Sequence, residues 1–293
     1  MAKSPIRVLV VDDSATTRAV ISDLIAAAPD LEVVGAARDG REALDLVDAL
    51  SPDIITLDVH MPRLDGLATL DALLEKKPTP GAMVSALTQR AADVTLESLQ
   101  RGALDYVAKP DALYSAGQAF RNELIHKLRT LAGSDVRRVL TVRQARQSQI
   151  GAAAASTGGT QTAATYHDCC VAIGISTGGP PALSSVFQSL VPPLPAIAIV
   201  QHMPANFTGA FASRLDSLSS ISVKEAVTGD VLRPDAALLA PGGKHLRLRR
   251  DGSKVVVRVC DGDPVSGHRP SVDVMMRDVA KAFGDQALGV IMT

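Results

Sequence analysis

The first part of the chain, residues 4–131, alternates short apolar runs with longer amphipathic stretches. The runs have the length of buried strands, and the stretches between them repeat apolar side chains at helical spacing, as Ile21, Leu24 and Ile25 do. Ser14 can cap the first of these helices. The predicted strands are IRVLVV, LEVVGA, DIITLD, AMVSA and ALDYVA, and further helices are predicted from Arg41, Leu64, Ala92 and Ala112. Alternation of this kind is typical of βα units with a parallel sheet.

A second pattern of the same kind occupies residues 169–293, after a stretch rich in small, polar and basic residues that predicts a linker over 132–168. Its predicted strands are CCVAIGI, AIAIVQH, ALLAP, a hairpin with its turn at Asp251-Gly252, and ALGVIMT. The predicted helices are PALSSVFQSL, ANFTGAFASRLDSL and SVDVMMRDVAKAF. The sequence therefore predicts an α/β protein of two doubly wound parallel-sheet domains.

Composition and charge narrow the classes of partner. A net charge of −1, from 30 basic and 31 acidic side chains, gives no overall field that would hold nucleic acid or an anionic membrane. No apolar run reaches the ~18–20 residues of a spanning helix, and the three cysteines form neither a CxxC pair nor a disulfide scaffold. We expect a cytoplasmic protein with no nucleic-acid partner and no direct membrane insertion.

Polar side chains follow several strands of the first predicted sheet where each strand ends. Asp12 and Asp13 follow the first strand, Asp58 ends the third, Ser85 closes the fourth and Lys109 lies just past the fifth. The carboxyl ends of parallel strands share one edge of a sheet, so these side chains should converge. Three close carboxylates repel each other unless a hard cation such as Mg²⁺ neutralises them. A single acid here would more often cap a helix, but the whole set favours phosphoryl transfer.

The segments LVVDDS, LDVHMPRLDG, MVSA and YVAKP resemble the receiver domains of two-component response regulators, a flavodoxin-like fold, over about the first 130 residues. The resemblance implies a strand order of 2-1-3-4-5 and a histidine kinase as phosphodonor. The implied roles are phosphoacceptor for Asp58, Mg²⁺ ligands for Asp12, Asp13 and Asp58, switch hydroxyl for Ser85, aromatic switch for Tyr106 and phosphate-binding lysine for Lys109.

A candidate nucleophile follows the first strand of the second pattern. Residues 174–178 read Gly-Ile-Ser-Thr-Gly and satisfy G-x-S-x-G, in which flanking glycines leave room for a tight turn that exposes the Ser176 hydroxyl. The main-chain N–H of Thr177 is the oxyanion candidate. A nucleotide-binding G-x-G-x-x-G turn would need glycine where Ser176 stands.

A candidate general base ends the next predicted strand. A right-handed crossover would bring His202 near Ser176 at the same sheet edge, where it can take the serine proton and return it to the leaving group. The other histidines show no HExxH or HxH spacing, which argues against zinc.

The segments IGISTGGPPAL, IVQHMP, LLAPGGKHL and SGHRPSVDVMM resemble the Rossmann-like catalytic domain of the chemotaxis methylesterase family, from about Val171 onward. The resemblance implies phosphorylation-activated hydrolysis of glutamate methyl esters, and deamidation of glutamines, on methyl-accepting chemotaxis receptors. Ser176 would be the nucleophile and His202 the base of an acyl-enzyme route, with no cofactor for hydrolysis. The outcome would be adaptation in bacterial chemotaxis.

The acidic third member of that family's triad belongs to a TGMGxDG loop that the sequence does not contain. Asp261, Asp263, Asp273 and Asp278 do not occupy such a motif, although Asp273 or Asp263 would be the internal candidates. We therefore expect residues 1–293 to hydrolyse weakly or not at all, and a non-catalytic regulator is the alternative. A receiver fused to a DNA-binding domain would instead require a basic recognition helix after the linker, where the serine turn stands.

Overall fold

The computed structural model describes residues 4–86, 88–110, 117–139, 141, 166 and 168–292. The chain divides into two compact units, Met1–Val142 and Arg143–Thr293. Each unit is built on a parallel sheet, as the alternating sequence pattern predicts.

The first unit has a five-stranded parallel sheet in the order β2-β1-β3-β4-β5, which confirms the predicted order. Its strands are β1 (Ile6–Val11), β2 (Leu31–Ala37), β3 (Ile54–Leu57), β4 (Gly81–Ala86) and β5 (Asp105–Lys109). Its helices are α1 (Ala15–Ala26), α2 (Gly40–Leu50), α3 (Gly66–Lys76), α4 (Gln89–Arg101) and α5 (Gln118–Leu131).

Side-chain caps determine where these helices begin. Ser14 accepts a hydrogen bond from the backbone N–H of Thr17 and caps α1, as predicted. Asp65 caps α3 and Thr88 caps α4, so α3 begins after the predicted Leu64 and α4 begins before the predicted Ala92. The predicted start of α5 at residue 112 lies outside the described residues.

One hydrophobic cluster of the first unit lies between the sheet and helices α1 and α5. Val8, Val10, Ile21 and Leu124 are fully or almost fully buried in it. Val136 is also buried in this core, so its packing continues past residue 131, where the sequence predicts the linker to begin.

The second unit has a five-stranded parallel sheet in the order β13-β6-β7-β10-β8 and a three-stranded antiparallel sheet in the order β11-β12-β9. The strands are β6 (Cys170–Ile175), β7 (Ala196–Gln201), β8 (Ser222–Glu225), β9 (Val231–Leu232), β10 (Ala236–Leu239), β11 (His245–Asp251), β12 (Lys254–Cys260) and β13 (Ala287–Met292). The helices are α6 (Gly179–Ser189), α7 (Ala205–Leu218) and α8 (Val272–Phe283), with a 3-10 turn at Gly284–Gln286.

The winding of this second sheet reverses at β6. From β6 the chain proceeds through β7 to β10 on one side, and it returns on the other side as β13. The crevice at the carboxyl end of β6 is therefore the place where an open α/β sheet binds ligands. The predicted hairpin is confirmed, with Gly252 in the left-handed conformation of the turn, whereas β8 and β9 were not predicted.

Two apolar side chains of the second unit are exposed on an edge strand of its parallel sheet. Leu288 and Ile291 of the edge strand β13 are 59% and 60% exposed. Among the described residues, no helix combines the length and hydropathy required to cross a membrane.

Candidate functional site

Three carboxylates meet at the carboxyl edge of the first sheet. Asp12 and Asp13 follow β1, and Asp58 follows β3, the strand paired with β1. One oxygen from each lies within 4.8 Å of the others; Asp12 and Asp58 are buried, and Asp13 is exposed. This all-oxygen donor set, open on the Asp13 side, fits the ligand preference of Mg²⁺.

Lys109 neutralises the buried pair of acids. Its Nζ lies 2.6 Å from Asp12 Oδ2 and 2.9 Å from Asp58 Oδ1. The main-chain N–H of Val59 also donates to Asp58 Oδ1, at 2.9 Å, so neither contact involves Oδ2. Burial raises the pKa of Asp58, and the positive charge of Lys109 opposes that rise.

Close backbone packing fixes the position of Asp58. A Cβ on Gly66, the first residue of α3, would lie 2.2 Å from the Asp58 carbonyl oxygen and 2.9 Å from Val59 Cα. Only glycine lets the start of α3 approach the end of β3 this closely.

The predicted switch residues lie on the neighbouring strands. Ser85 on β4 is fully buried, and its Oγ has no hydrogen-bond partner among the residues that the structure describes. Tyr106 on β5 is also buried, and its pKa is well above the ordinary value because of burial and then the charges of Asp105 and Glu123. Ser85 was predicted from its position at a strand end, and Tyr106 from the resemblance to receiver domains. The structure buries the hydroxyl group of Ser85 at the sheet edge.

Lys127 contacts Tyr106 from α5 and was not predicted. Its Nζ lies 4.8 Å from the centre of the Tyr106 ring and donates to the Tyr106 carbonyl oxygen. Burial lowers its pKa, but the charges of Asp105 and Glu123 outweigh burial, so the pKa of Lys127 is raised. A lysine on a helix normally lies in solvent, so the sequence carries no signal for this contact.

Ser176 and His202 lie side by side at the carboxyl edge of the second sheet. Strands β6 and β7 are paired up to Ile175 and Gln201, and the two residues come one position later on each strand. His202 Nδ1 lies 3.2 Å from Ser176 Oγ, and the His202 main-chain N–H donates to the Ile175 carbonyl at 3.2 Å. The adjacency predicted from the crossover is confirmed.

Gln201 holds the serine turn in place and was not predicted. Its Nε2 donates to the Ser176 carbonyl at 2.8 Å and to the His202 carbonyl at 3.2 Å, so one buried amide bridges the two turns. Gly178 adopts φ 71°, which glycine accommodates without strain. A Cβ on Gly179 would lie 1.7 Å from Gln201 Oε1, so α6 starts directly against this amide.

The environment of His202 keeps it neutral. Burial, followed by the proximity of His268, lowers the pKa of His202 to about 4. For Nδ1 to accept the Ser176 proton, the ring must carry its hydrogen on Nε2. Nε2 is buried and has no partner among the described residues.

The acids near the end of the sequence have other partners. Asp273 accepts a hydrogen bond from Ser266. Asp278 pairs with Arg247, with its Oδ2 2.6 Å from Arg247 Nε. No carboxylate of the described residues is bonded to His202 Nε2.

Comparisons with known proteins cover both units. The response regulator receiver domain model matches residues 8–116, and the CheB methylesterase model matches residues 171–293. The Geobacter metallireducens protein named protein-glutamate methylesterase/protein-glutamine glutaminase 1 is 45% identical over 294 residues, which cover 100% of this chain and 81% of that protein.

Two solved structures from Thermotoga maritima match one unit each. The response regulator domain of CheB is 43% identical, covers 45% of this chain and 98% of its own, and gives a TM-score of 0.41. The CheB methylesterase catalytic domain is 37% identical, covers 43% of this chain and 67% of its own, and gives a TM-score of 0.42.

Proposed function

The chain belongs to the protein-glutamate methylesterase/protein-glutamine glutaminase family, and from that premise we propose that Ser176 and His202 hydrolyse glutamate methyl esters and glutamine amides on chemoreceptors. The proposed domains are a receiver over residues 4–131, a linker over 132–168 and a catalytic domain over 169–293. The observation that carries the proposal is the 3.2 Å approach of His202 Nδ1 to Ser176 Oγ at the switch point of the second sheet.

The proposed reaction proceeds through an acyl-enzyme. Ser176 Oγ forms a bond to the ester carbonyl carbon while His202 Nδ1 takes its proton. The tetrahedral intermediate then breaks its bond to the methoxy oxygen, which takes the proton from His202 and leaves as methanol. Water attacks the acyl group, His202 removes a proton from it, and Ser176 regains that proton as glutamate is released. A glutamine side chain follows the same steps with ammonia as the leaving group.

Thr177 supplies the proposed oxyanion donor. The residue after the nucleophile in a serine turn presents its main-chain N–H to the developing charge. Gly179 donates to the Ser176 carbonyl at 3.0 Å, and this bond supports a fixed turn conformation around Thr177. A donor held in advance stabilises the oxyanion without reorganisation cost.

His202 is unprotonated at neutral pH, where burial and the proximity of His268 hold its pKa at about 4. It can therefore accept the Ser176 proton in every turnover. In this tautomer the buried Nε2 carries the hydrogen of the neutral ring. A hydrogen-bond acceptor at Nε2 would stabilise the imidazolium that forms when Nδ1 takes the Ser176 proton.

Asp58 is the proposed phosphoacceptor of the receiver. Its carboxylate oxygen forms a bond to phosphorus as the phosphorus–nitrogen bond of a kinase phosphohistidine breaks, and the released imidazole takes a proton from solvent. Lys109, 2.9 Å from the Asp58 carboxylate, is the proposed neutralising contact for the phosphoryl group. Ser85, whose buried Oγ has no partner in the described part of the chain, can then donate a hydrogen bond to a phosphoryl oxygen.

Asp12, Asp13 and Asp58 would hold Mg²⁺, whose charge would offset that of the transferring phosphoryl group. Phosphorylation of Asp58 is proposed to activate the hydrolase, which requires the two receiver states to differ in their affinity for the catalytic unit. Tyr106 is the proposed aromatic switch, and Lys127 Nζ lies over its ring, 4.8 Å from the ring centre.

Methanol release from methylated receptor membranes tests this function. We expect the Ser176→Ala and His202→Gln variants to abolish the methanol release that the wild-type chain shows, because each removes one of the two groups proposed to react. Ser184→Ala, on α6 close in sequence to the site, is the matched control and should retain wild-type rates. A Ser176→Ala variant that releases methanol as fast as the wild type would contradict the proposed site. A wild-type chain that accepts phosphate but releases no methanol would favour the non-catalytic regulator.

A further inference from the structure

A second histidine lies flat against the proposed base. The ring centres of His202 and His268 are 3.8 Å apart, and the ring planes differ by only 9°. Aromatic rings left to themselves prefer an offset or edge-to-face arrangement with centres about 4.5–7 Å apart. The close parallel stack is therefore a geometry that the surrounding backbone imposes on His268.

A tight turn carries His268 to this position. Val265 and His268 exchange two main-chain hydrogen bonds of 3.1 Å each, and they form an isolated antiparallel bridge. The two residues between them, Ser266 and Gly267, have φ of 53° and 78°. Positive φ at both central positions gives a turn of the I′ kind, which joins two antiparallel strands with little freedom.

The arm that includes this turn, residues 261–271, is held at both of its ends by His245. The His245 ring lies with Nε2 2.9 Å from the Asp263 carbonyl oxygen, and its Nδ1 accepts from the Ser271 main-chain N–H at 3.3 Å. Inside the arm, the Arg269 guanidinium donates to the Gly262 carbonyl at 2.6 Å. Because His245 is buried at the start of β11, these bonds tie the arm to the sheet.

We propose that His268 is a positioning residue that holds the base His202 against Ser176 by stacking on its ring. The proposal rests on the hydrolase function proposed above. The contact to Ser176 Oγ is the one side-chain hydrogen bond of the His202 ring in the described residues, since Nε2 has no partner. One such bond leaves the ring free to rotate, and a flat neighbour at 3.8 Å fills the space on one face into which it would turn.

The stack also shields the base from water. His202 is partly buried, whereas His268 is exposed, so His268 covers one face of the base and presents its own other face to solvent. Consistent with this, the proximity of His268 is the second cause, after burial, of the lowered His202 pKa. An exposed residue with this role can be replaced without opening the core of the unit.

Substitutions that keep or remove the flat ring test the proposal. His268→Leu keeps apolar volume but removes the ring, and His268→Phe keeps the ring but removes its nitrogens. We expect the kcat of His268→Leu for methanol release to fall roughly 10–100-fold, with little change in KM, because misplacing a catalytic group by ~1 Å costs about that much. His268→Phe should retain most of the wild-type kcat. His126→Leu, at an exposed histidine of α5, is the matched control.

Labelling of Ser176 by a small fluorophosphonate provides a second readout that does not involve the receptor. We expect His268→Leu to slow labelling by a similar factor and His268→Phe to preserve it, while thermal unfolding of both variants stays close to that of the wild type. Equal rates for wild type and His268→Leu would overturn the positioning role. Equal losses for Leu and Phe would overturn it as well, because the imidazole nitrogens would then be required. Retained activity in Ser176→Ala would instead show that the proposed function itself is wrong.

Discussion

At the scale of single residues, the chemistry of both candidate sites depends on side chains whose charge is set by burial. Burial raises the pKa of Asp58, and the adjacent Lys109 opposes it. Burial lowers the pKa of His202 to about 4, and the nearby His268 adds to the effect. In each site, burial therefore opposes the charged form of the group that we propose to react.

The pH dependence of hydrolysis follows from the His202 pKa. The base must be unprotonated, so we expect kcat/KM to stay level from pH 8 down to about 5 and to fall as the pH drops through about 4. An ordinary histidine, with a pKa near ~6.5, would already be about nine-tenths protonated at pH 5.5. The measurement is a pH profile of methanol release in an Asp58→Asn background, which removes titration of the phosphoacceptor. A midpoint near 6.5 would contradict the buried environment of His202.

The same shift affects stability. The folded-state pKa of His202 lies below that of the unfolded chain, so between about pH 4 and 6.5 the unfolded state binds more protons. The contribution of His202 to the free energy of unfolding is therefore complete above that window and declines as the pH falls through it.

Phosphorylation of Asp58 is testable by intact mass. Incubation with acetyl phosphate and Mg²⁺ should add one phosphoryl group to the wild-type chain and none to Asp58→Asn. Asp65→Asn is the matched control, because Asp65 lies in the same loop but caps α3, a role that Asn also fills. Chelation with EDTA should prevent labelling if the three acids hold the metal. Equal labelling of Asp58→Asn and wild type would place the phosphoacceptor elsewhere.

The sequence predicted the residues that we propose to react, but not the residues that contact them. Ser176, His202 and Asp58 were predicted because each follows a strand within a recognisable motif. Gln201 and His268 were not predicted as parts of the site, because their roles arise only from contacts across the fold. A glutamine in a strand, or a histidine in a loop, has no distinctive pattern of its own.

At the scale of elements, buried strands were predictable and short edge strands were not. Strands β1 and β7 were predicted from their apolar runs, because both strands are buried along most or all of their lengths. In β8, Ser222–Glu225, only Val223 is buried, and β9 is two residues long. So short a polar segment shows no period that sequence alone can detect.

Backbone approach at Gly242 offers a test of packing around the base. A Cβ at this position would lie 2.4 Å from Ala205 N and 2.5 Å from the Met203 carbonyl oxygen, in the loop that follows His202. We expect Gly242→Ala to lower the free energy of unfolding of the second unit by about 1–3 kcal/mol and to reduce kcat. Gly209→Ala, inside α7 with its nearest contact at 3.6 Å, should be neutral or slightly stabilising. The measurement is thermal unfolding of both variants. Similar stabilities would show that the loop after His202 can shift to accommodate the added Cβ.

At the scale of the whole molecule, a receiver domain and a methylesterase domain share one chain. The units Met1–Val142 and Arg143–Thr293 each have their own sheet and their own candidate site. Such an organisation allows a signal received by one unit to control catalysis in the other, provided that the receiver states differ in affinity for the catalytic unit.

Activation by phosphorylation is the prediction at this scale. Addition of acetyl phosphate and Mg²⁺ to the full chain should raise methanol release by the wild type and leave Asp58→Asn unchanged. A fragment beginning near Thr165 should be insensitive to acetyl phosphate and faster than the unphosphorylated full chain. Equal rates for this fragment and the unphosphorylated full chain would rule out inhibition by the receiver.

The pairing of β6 with β7 has a consequence for how the chain can change in length. Ser176 and His202 are neighbours because each comes one residue after the paired positions Ile175 and Gln201. A residue added within β7 would turn the imidazole toward the opposite face of the sheet, because side chains alternate along a strand. Residues added between α6 and β7 would leave the pair intact. We therefore expect variants with residues inserted between α6 and β7 to keep activity. Variants with a residue inserted a few positions later, within β7, should lose it.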